Sequence, residues 1–336
     1  MKTKALSWMA TALLAAAPAA SAWADPVELK IATLAPDGSA WAKIMAQGGV
    51  KIGERTAGRV TVKFFFSGAQ GDERDVVRKM KLGQIDGAAL TAVGLGQIRG
   101  DVRILELPFL FKNDKELDFV RTKMAPDFEK QFQDAGYELL SWGDVGWVHL
   151  FTNLAVNSLE DLNKAKMWAW TDDPIVRTFY KHLGVNGVPL GVPDVLPALQ
   201  TGTIDACAGS PLAMVALQWY TKVKYGTDTA ISYSIGALVV RKAVFSKLSA
   251  EDQKSIREIG VQVGEDLMKS VRRDNERAKK AMVKSGVQFI PTPGPLVDKF
   301  ETTAHDVWQE LAGGKLYPSE LLERVKKYLV EARAKG

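Results

Sequence analysis

The 336 residues are 46% hydrophobic, 25% charged and 9% aromatic, with nine Trp and one Cys. Those proportions exclude a disordered chain, a collagen-like repeat and a disulfide scaffold. The formal charge of +5 is modest for this length, and no dense Lys/Arg block marks a nucleic-acid face.

Met1-Lys2-Thr3-Lys4 is a short basic start, and Ala5 to Ala17 is an apolar run that ends before Pro18. Ala22-Trp23-Ala24 ahead of Asp25 fits small-x-small cleavage. This three-part layout predicts a secretory signal peptide over residues 1–24 and an exported protein. The apolar run is shorter than the roughly 20 residues that span a bilayer. Loss of Lys2 and Lys4 takes the formal charge from +5 to +3.

The length beyond this leader predicts two domains, each able to bury its own core. Val27 to Thr33 alternates and reads as a strand, and Pro36 to Ser39 turns into a helix over Ala40 to Ala57 that Gly58 stops. Val60 to Phe66 is a second strand. Asp72 to Leu82 is a helix with acids in its first turn, and Ile85 to Thr91 a third strand. The alternation predicts an α/β domain with a mostly parallel sheet.

A second α/β block starts near Trp142. Val148 to Val156, Lys166 to Trp170, Val188 to Leu190 and Ile204 to Cys207 read as strands. A capped turn at Ser158 to Asp161, a helix from Pro174 to Leu183 and a helical turn from Val195 to Gln200 lie between them. Two such lobes with several crossings imply a cleft, the usual place for a ligand. From the S-x-x-D cap at Ser249, helix-favouring residues run to Ser285, about 37 residues that would span about 55 Å. Either one long helix braces both lobes or a bent or broken pair fills this stretch. Prolines 291, 293 and 295 end it before a last helical segment from Pro318 to Ala334.

Reactive chemistry finds little purchase here. His149, His182 and His305 lack metal-ligand spacing, and no nucleophile elbow or phosphate loop occurs. Gly94, Gly96 and Gly100 have one residue too many for a dinucleotide fingerprint. Cys207 reads as a buried inert thiol, and Asp172-Asp173 as helix-start acids before Pro174. We therefore expect no enzyme, no cofactor and no metal.

Several stretches together resemble the periplasmic substrate-binding subunits of TRAP transporters, the DctP-like group. They are KIATLAPDGSAW (Lys30 to Trp41), GDERDVVRKMKLGQID (Gly71 to Asp86), LPFLF (Leu107 to Phe111), SLEDLNKAK (Ser158 to Lys166), ALQTGTID (Ala198 to Asp205) and LSAEDQ (Leu248 to Gln253). The resemblance covers essentially the whole chain after the leader. It implies a two-lobed periplasmic binding protein fold with a long helix bridging both lobes. It also implies a monomer in the periplasm whose cleft closes on one small-molecule ligand, followed by docking on the membrane permease subunits of the transporter. On this reading lobe I comprises 26–148 and 234–275, and lobe II 149–233 and 276–336. Hinge segments are expected near Trp147 to Thr152 and Tyr233 to Leu238.

The departures from that family bear on the solute. Trp168 stands where members that bind organic acids carry an Arg in K-I/L-R, whose planar fork pairs a carboxylate. Cys207-Ala208-Gly209-Ser210-Pro211 replaces an amide-bearing run, and Val148 or His149 falls on a second basic position. Val192 stands where an aromatic is often found, and Thr91 where some members place an acid at the end of the third strand. Trp142, Trp147, Trp168 and Trp170 crowd the same region, with Trp168 and Trp170 on one face of their strand.

Two readings of these tryptophans stand side by side: core of the second lobe, or walls of a pocket for a neutral, apolar or amphipathic ligand. The pocket reading gathers Thr91, Phe109, Trp142, Asp144, Trp147, His149, Trp168, Trp170, Val192, Gly209, Ser210 and Tyr233, with Asp144, His149 and Ser210 orienting one polar group. An amine held over the rings against Asp144 is a lesser variant. A periplasmic hydrophobic-metabolite or lipid carrier working with a helical-repeat or envelope partner is the alternative. An ordinary dicarboxylate-like binding protein is a further one. An enzyme would rest only on Cys207, His149 and Asp144.

Overall fold

The structure, a computed structural model, describes residues 26–171 and 173–335. The leader segment 1–24 and Asp172 therefore lie outside the described residues. Among the described residues ten strands occur in chain order: β1 Val27–Thr33, β2 Val60–Phe65, β3 Gly87–Thr91, β4 Tyr137–Thr152, β5 Met167–Trp170, β6 Gly187–Leu190, β7 Ala206–Gly209, β8 Tyr225–Thr227, β9 Ser232–Arg241 and β10 Gln288–Ile290.

They form one path in the order β2-β1-β3-β9-β4-β7-β5-β6, with β8 beside β4 and β10 beside β8. The strands of the first block, β2-β1-β3, are parallel as expected, and the sheet becomes mixed where β9 joins β3. β9 runs antiparallel to β3 and to β4, and β4 is antiparallel to β7 and β8. The 16-residue β4 changes partner partway along. Val148 still pairs with Ser232 of β9, whereas His149 pairs with Gly209 of β7. One strand thus serves two sheets, and register shifts at Leu139/Ser141 and Asp144/Gly146 bend it. Those shifts break the alternation of 137–147, which is why the sequence predicts a strand only from Val148.

Helices cover both faces. One continuous core spans both sheets on one side, where Phe128, Phe132, Phe300 and Val325 pack under Ala88, Ile235 and Met167. On the other side each sheet has its own core. Leu29, Ile31 and Phe245 belong to the first, and Phe151, Cys207 and Met214 to the second. A single 35-residue helix, Ala250–Lys284, capped by Ser249 Oγ accepting from Asp252 N–H, joins these two cores. Ile256, Ile259, Val263 and Leu267 enter the first and Met282 the second, so one rigid element braces both lobes.

Pro174–Leu183 forms the helix its proline start predicts, while Gly294–Leu311 and Asp114–Asp134 are helices the sequence reading did not anticipate. Each carries an interior or early proline in an otherwise mixed apolar pattern. Among the described residues no helix is long and apolar enough to cross a membrane.

Candidate functional site

A cavity of about 270 Å³ lies between the two sheets, lined from both lobes. Its volume is at the lower end for small-molecule sites. Five tryptophans line it: Trp41 from the first helix, Trp142 from β4, Trp168 and Trp170 from β5, and Trp219 from the short turn after β7. Trp168 and Trp170 lie on one face of β5 with ring centroids 5.8 Å apart, and Trp168 meets Trp219 edge-on at 5.2 Å. Each of the three outer rings is fixed by its N–H. Trp168 donates to Leu190 O (2.9 Å), Trp170 to Asp72 Oδ2 (2.8 Å) and Trp41 to Asp144 O (3.1 Å).

Against this apolar wall stands a buried charged cluster. Arg103, 3% exposed, sends Nη2 to both oxygens of Asp173 at 3.0 Å and to Glu106 at 3.2 Å. It is the one Lys or Arg lining the cavity among the described residues. Asp173 also caps the Pro174–Leu183 helix, accepting from Ile175 and Val176 N–H. Glu106 accepts from Ser234 Oγ and Ile235 N–H, each at 3.0 Å. Glu73 completes the cluster, taking Thr91 N–H (2.7 Å), Thr91 Oγ1 (2.8 Å) and Gly94 N–H (2.6 Å).

Gly94 and Gly96 are explained by this cluster rather than by a cofactor. A Cβ on Gly94 would sit 2.6 Å from Glu73 Oε2, and one on Gly96 2.8 Å from the Arg103 stem.

Burial outweighs the donors around Glu73 and pushes its carboxyl up to about 8. Burial likewise raises Glu106, against the opposing charge of Arg103. Glu73 is thus protonated in the folded protein at pH 7 and ionised in the unfolded chain. Its contribution to stability is fully present below the unfolded value near 4.5 and is lost as pH rises through about 8. Glu73→Gln is expected to flatten that segment of the pH–stability curve. Urea midpoints at pH 5, 7 and 9 check it, and an unchanged slope would refute the assignment.

The structure sorts the twelve sequence-predicted residues. Thr91, Trp142, Asp144, Trp168, Trp170, Val192, Gly209 and Ser210 line the cavity. The Trp142 ring, however, packs edge-on against Phe128 in the shared core. Ser210 Oγ is spent capping its own helix at Ala213 N–H, and Thr91 Oγ1 is held by Glu73.

Phe109, Trp147, His149 and Tyr233 do not line the cavity, which corrects their placement there. Phe109 turns at φ +56° with its ring toward Phe300, in the shared core. Trp147 donates to Asp114 and stacks edge-on at 5.0 Å with Tyr233, whose hydroxyl donates to Asp144. His149 holds Nδ1 against Thr227 O at 2.8 Å between Phe151 and Phe289. Burial lowers it to about 4, so it is neutral at pH 7.

The Asp144 carboxylate is equally occupied, bound by Arg121, Tyr233 and Arg272, so it orients no solute and offers no counter-charge to an amine. Cys207 is buried beside Met214, and burial pushes its thiol up.

Sequence reasoning missed Trp41, Trp219, Arg103, Glu73 and Glu106. Only Arg103 and Glu106 left a trace, as two opposite charges at i,i+3 inside the apolar run Val102 to Leu107.

The profile of the bacterial extracellular solute-binding protein family 7, DctP, matches residues 31–314. A solute-binding protein of Verminephrobacter eiseniae is 29% identical over 208 residues, 61% of this chain and 62% of that one, so the match spans about three-fifths of that relative. The 2,3-diketo-L-gulonate-binding periplasmic protein YiaO of Escherichia coli is 25% identical over 242 residues, 70% of this chain and 73% of that one.

Among solved structures, the sugar-acid-binding DctPAm of Advenella mimigardefordensis with galactonate superposes with a TM-score of 0.85 at 20% identity. It covers 92% of this chain and 99% of its own. The pyroglutamic-acid-binding DctP7 of Bordetella pertussis gives 0.82 at 19% identity, covering 91% and 99%. These neighbours share the two-lobed fold.

Proposed function

The chain belongs to the bacterial extracellular solute-binding protein family 7, the DctP family of TRAP transport systems, and from that premise we propose that it captures a small organic acid in its interlobe cavity. Delivery to TRAP-type membrane permease subunits follows from the same reading. The family is one of solute binding, so the chain is not an enzyme. The envelope-carrier alternative gains no support from the relatives named above.

One observation carries the finer reading: the cavity sets five tryptophans against a single guanidinium already shared by two carboxylates. A dicarboxylate would need a second cation, and a polyhydroxylated acid more side-chain donors than the walls present. A compact monocarboxylic acid with an apolar or amphipathic body matches both halves, its body on the indoles and its carboxylate toward Arg103. YiaO, DctPAm and DctP7 bind, by their names, a sugar acid or pyroglutamic acid. We read the indole-rich wall here as a shift from that hydrophilic end of the class.

Calorimetry with phenylacetate and branched-chain keto acids beside galactonate and succinate tests it. Micromolar binding of galactonate or succinate, with none by the apolar acids, would overturn the finer reading and leave the family role standing. Trp168→Arg is expected to weaken apolar-acid binding by about tenfold or more, since it removes an aromatic wall worth more than about 1.4 kcal/mol. It should also let dicarboxylates bind.

The lobe limits at 148/149 and 233/234, the signal peptide over 1–24 and a monomeric state remain part of the proposal. The partner exchange of β4 after Val148 supports the first limit.

A further inference from the structure

Asp72 stands at the start of the Glu73–Lys81 helix in lobe I, and its two oxygens do different things. Oδ1 accepts from Glu73 N–H at 2.9 Å and so caps its own helix. Oδ2 reaches across the cleft to lobe II and accepts from Trp170 Nε1 at 2.8 Å. The backbone N–H of Val192, the first residue of the ten-residue Val192–Thr201 helix, also faces this carboxylate and favours its charged form. Lobe II leaves room for it: a Cβ on Gly191 would lie 2.9 Å from Oδ2. Alongside, Leu34 of lobe I packs on the second lobe's core, and Pro193 approaches Gly68.

We propose that Asp72 is a positioning residue that latches the two lobes together and fixes Trp170 as a cavity wall. The inference rests on reading the cavity as the solute site. An indole N–H of lobe II meets an acceptor from lobe I beside the start of a lobe II helix. Opening the cleft must break the Trp170 bond and draw the carboxylate away from Gly191, while the cap on Oδ1 survives. Asp72 thereby governs closure and the place of the Trp170 ring without touching the chemistry of the solute's charged end.

Cys207, the chain's one cysteine, is buried, so two introduced thiols can be labelled selectively. Spin labels at Arg78→Cys and Thr201→Cys, both exposed, report the lobe separation by electron double resonance in solute-free protein. Asp72→Ala and Trp170→Phe are each expected to move at least about half of the closed population to longer distances, with the double variant moving no more than either single one. Asp72→Asn keeps an acceptor oxygen and should retain more of the closed population than Asp72→Ala.

A merely structural cap would lower the melting temperature and leave the distances unchanged. Distances in Asp72→Ala equal to those of the parent would overturn the proposal. So would single-variant shifts that simply add in the double variant. No solute is added, so a failure here leaves the monocarboxylate reading standing, and failure of that reading leaves the distances standing.

Discussion

Arg103→Met is expected to lower the unfolding free energy by about 3–5 kcal/mol at pH 7, because it strands carboxylates that the fold has already taken out of water. Asp173 and Glu106 are both within 3.2 Å of the same Nη2, and all three side chains are under one-tenth exposed. A truncation at the surface would lose less than about 1 kcal/mol. The loss should depend on pH in a defined direction. Burial already lifts Glu106 and Glu73 above their ordinary values, and removing the cation lifts the neighbouring carboxyls further.

Acids with raised folded values take up protons on folding, so the variant regains stability as pH falls. Urea unfolding should show a gap between parent and variant that is widest near pH 8 and narrower at pH 5. A gap that stays constant over that range would mean the carboxylates are not ionised beside Arg103. Adding Glu106→Gln to Arg103→Met should restore part of the loss, since one stranded charge then disappears. The same cluster limits the solute: an acid that approaches Arg103 must share it with Asp173 and Glu106.

Much of the fold is written locally. β1 coincides with the alternating run Val27 to Thr33, the Pro174–Leu183 helix with its proline start, and the long helix with its Ser249 cap. These elements are set by periodicity and by capping groups within a few residues. β9 and the first half of β4 depend instead on each other, across about 90 residues of chain, and β4 is bent by its register shifts. No local pattern records such a pairing.

The site divides in the same way. Trp168 and Trp170 are legible because two residues on one strand face one way. Trp41 and Trp219 join them only through the tertiary fold. Aromatic crowding in 142–170 misleads for Trp147, whose ring meets Tyr233 away from the cavity, whereas Trp142 lines it with its ring edge-on to Phe128. The cavity's cation, Arg103, arrives from the short turn Gly100–Glu106, far in sequence from the strand where the family resemblance places one.

Asp144 offers the clearest separation of stability from binding. Its carboxylate, on β4, takes Arg121 Nη1 at 2.6 Å, Tyr233 Oη at 2.7 Å and Arg272 Nε at 3.0 Å. Asp118 ties the same two arginines, at 2.8 Å to Arg121 and 2.7 Å to Arg272. The network fastens the Asp114–Asp134 helix and the long bracing helix to the strand that serves both sheets.

Asp144→Ala leaves Arg121, itself buried, with the part-exposed Asp118 as its remaining ion-pair partner, and is expected to lower stability by about 3–5 kcal/mol. Tyr233→Phe removes a single hydrogen bond to a charged group and should lower it by about 1.5–3 kcal/mol. The pH response runs opposite to that of the Arg103 cluster. Burial works against ionisation of Asp118, yet the hydrogen bonds and charge of Arg272 hold it below the usual carboxylate range. That contribution is present above the unfolded value of 3.8 and fades as pH falls below it.

The parent should therefore lose stability at both ends, through the Asp118 pairs in acid and through Glu73 toward pH 8. Asp144→Ala should weaken the network that supplies the acid-side loss and leave the Glu73 slope in place. Its solute affinity, measured below the unfolding midpoint, should match the parent's, because the carboxylate is already taken by Arg121, Arg272 and Tyr233. A variant that kept its stability but lost binding would return Asp144 to the solute site.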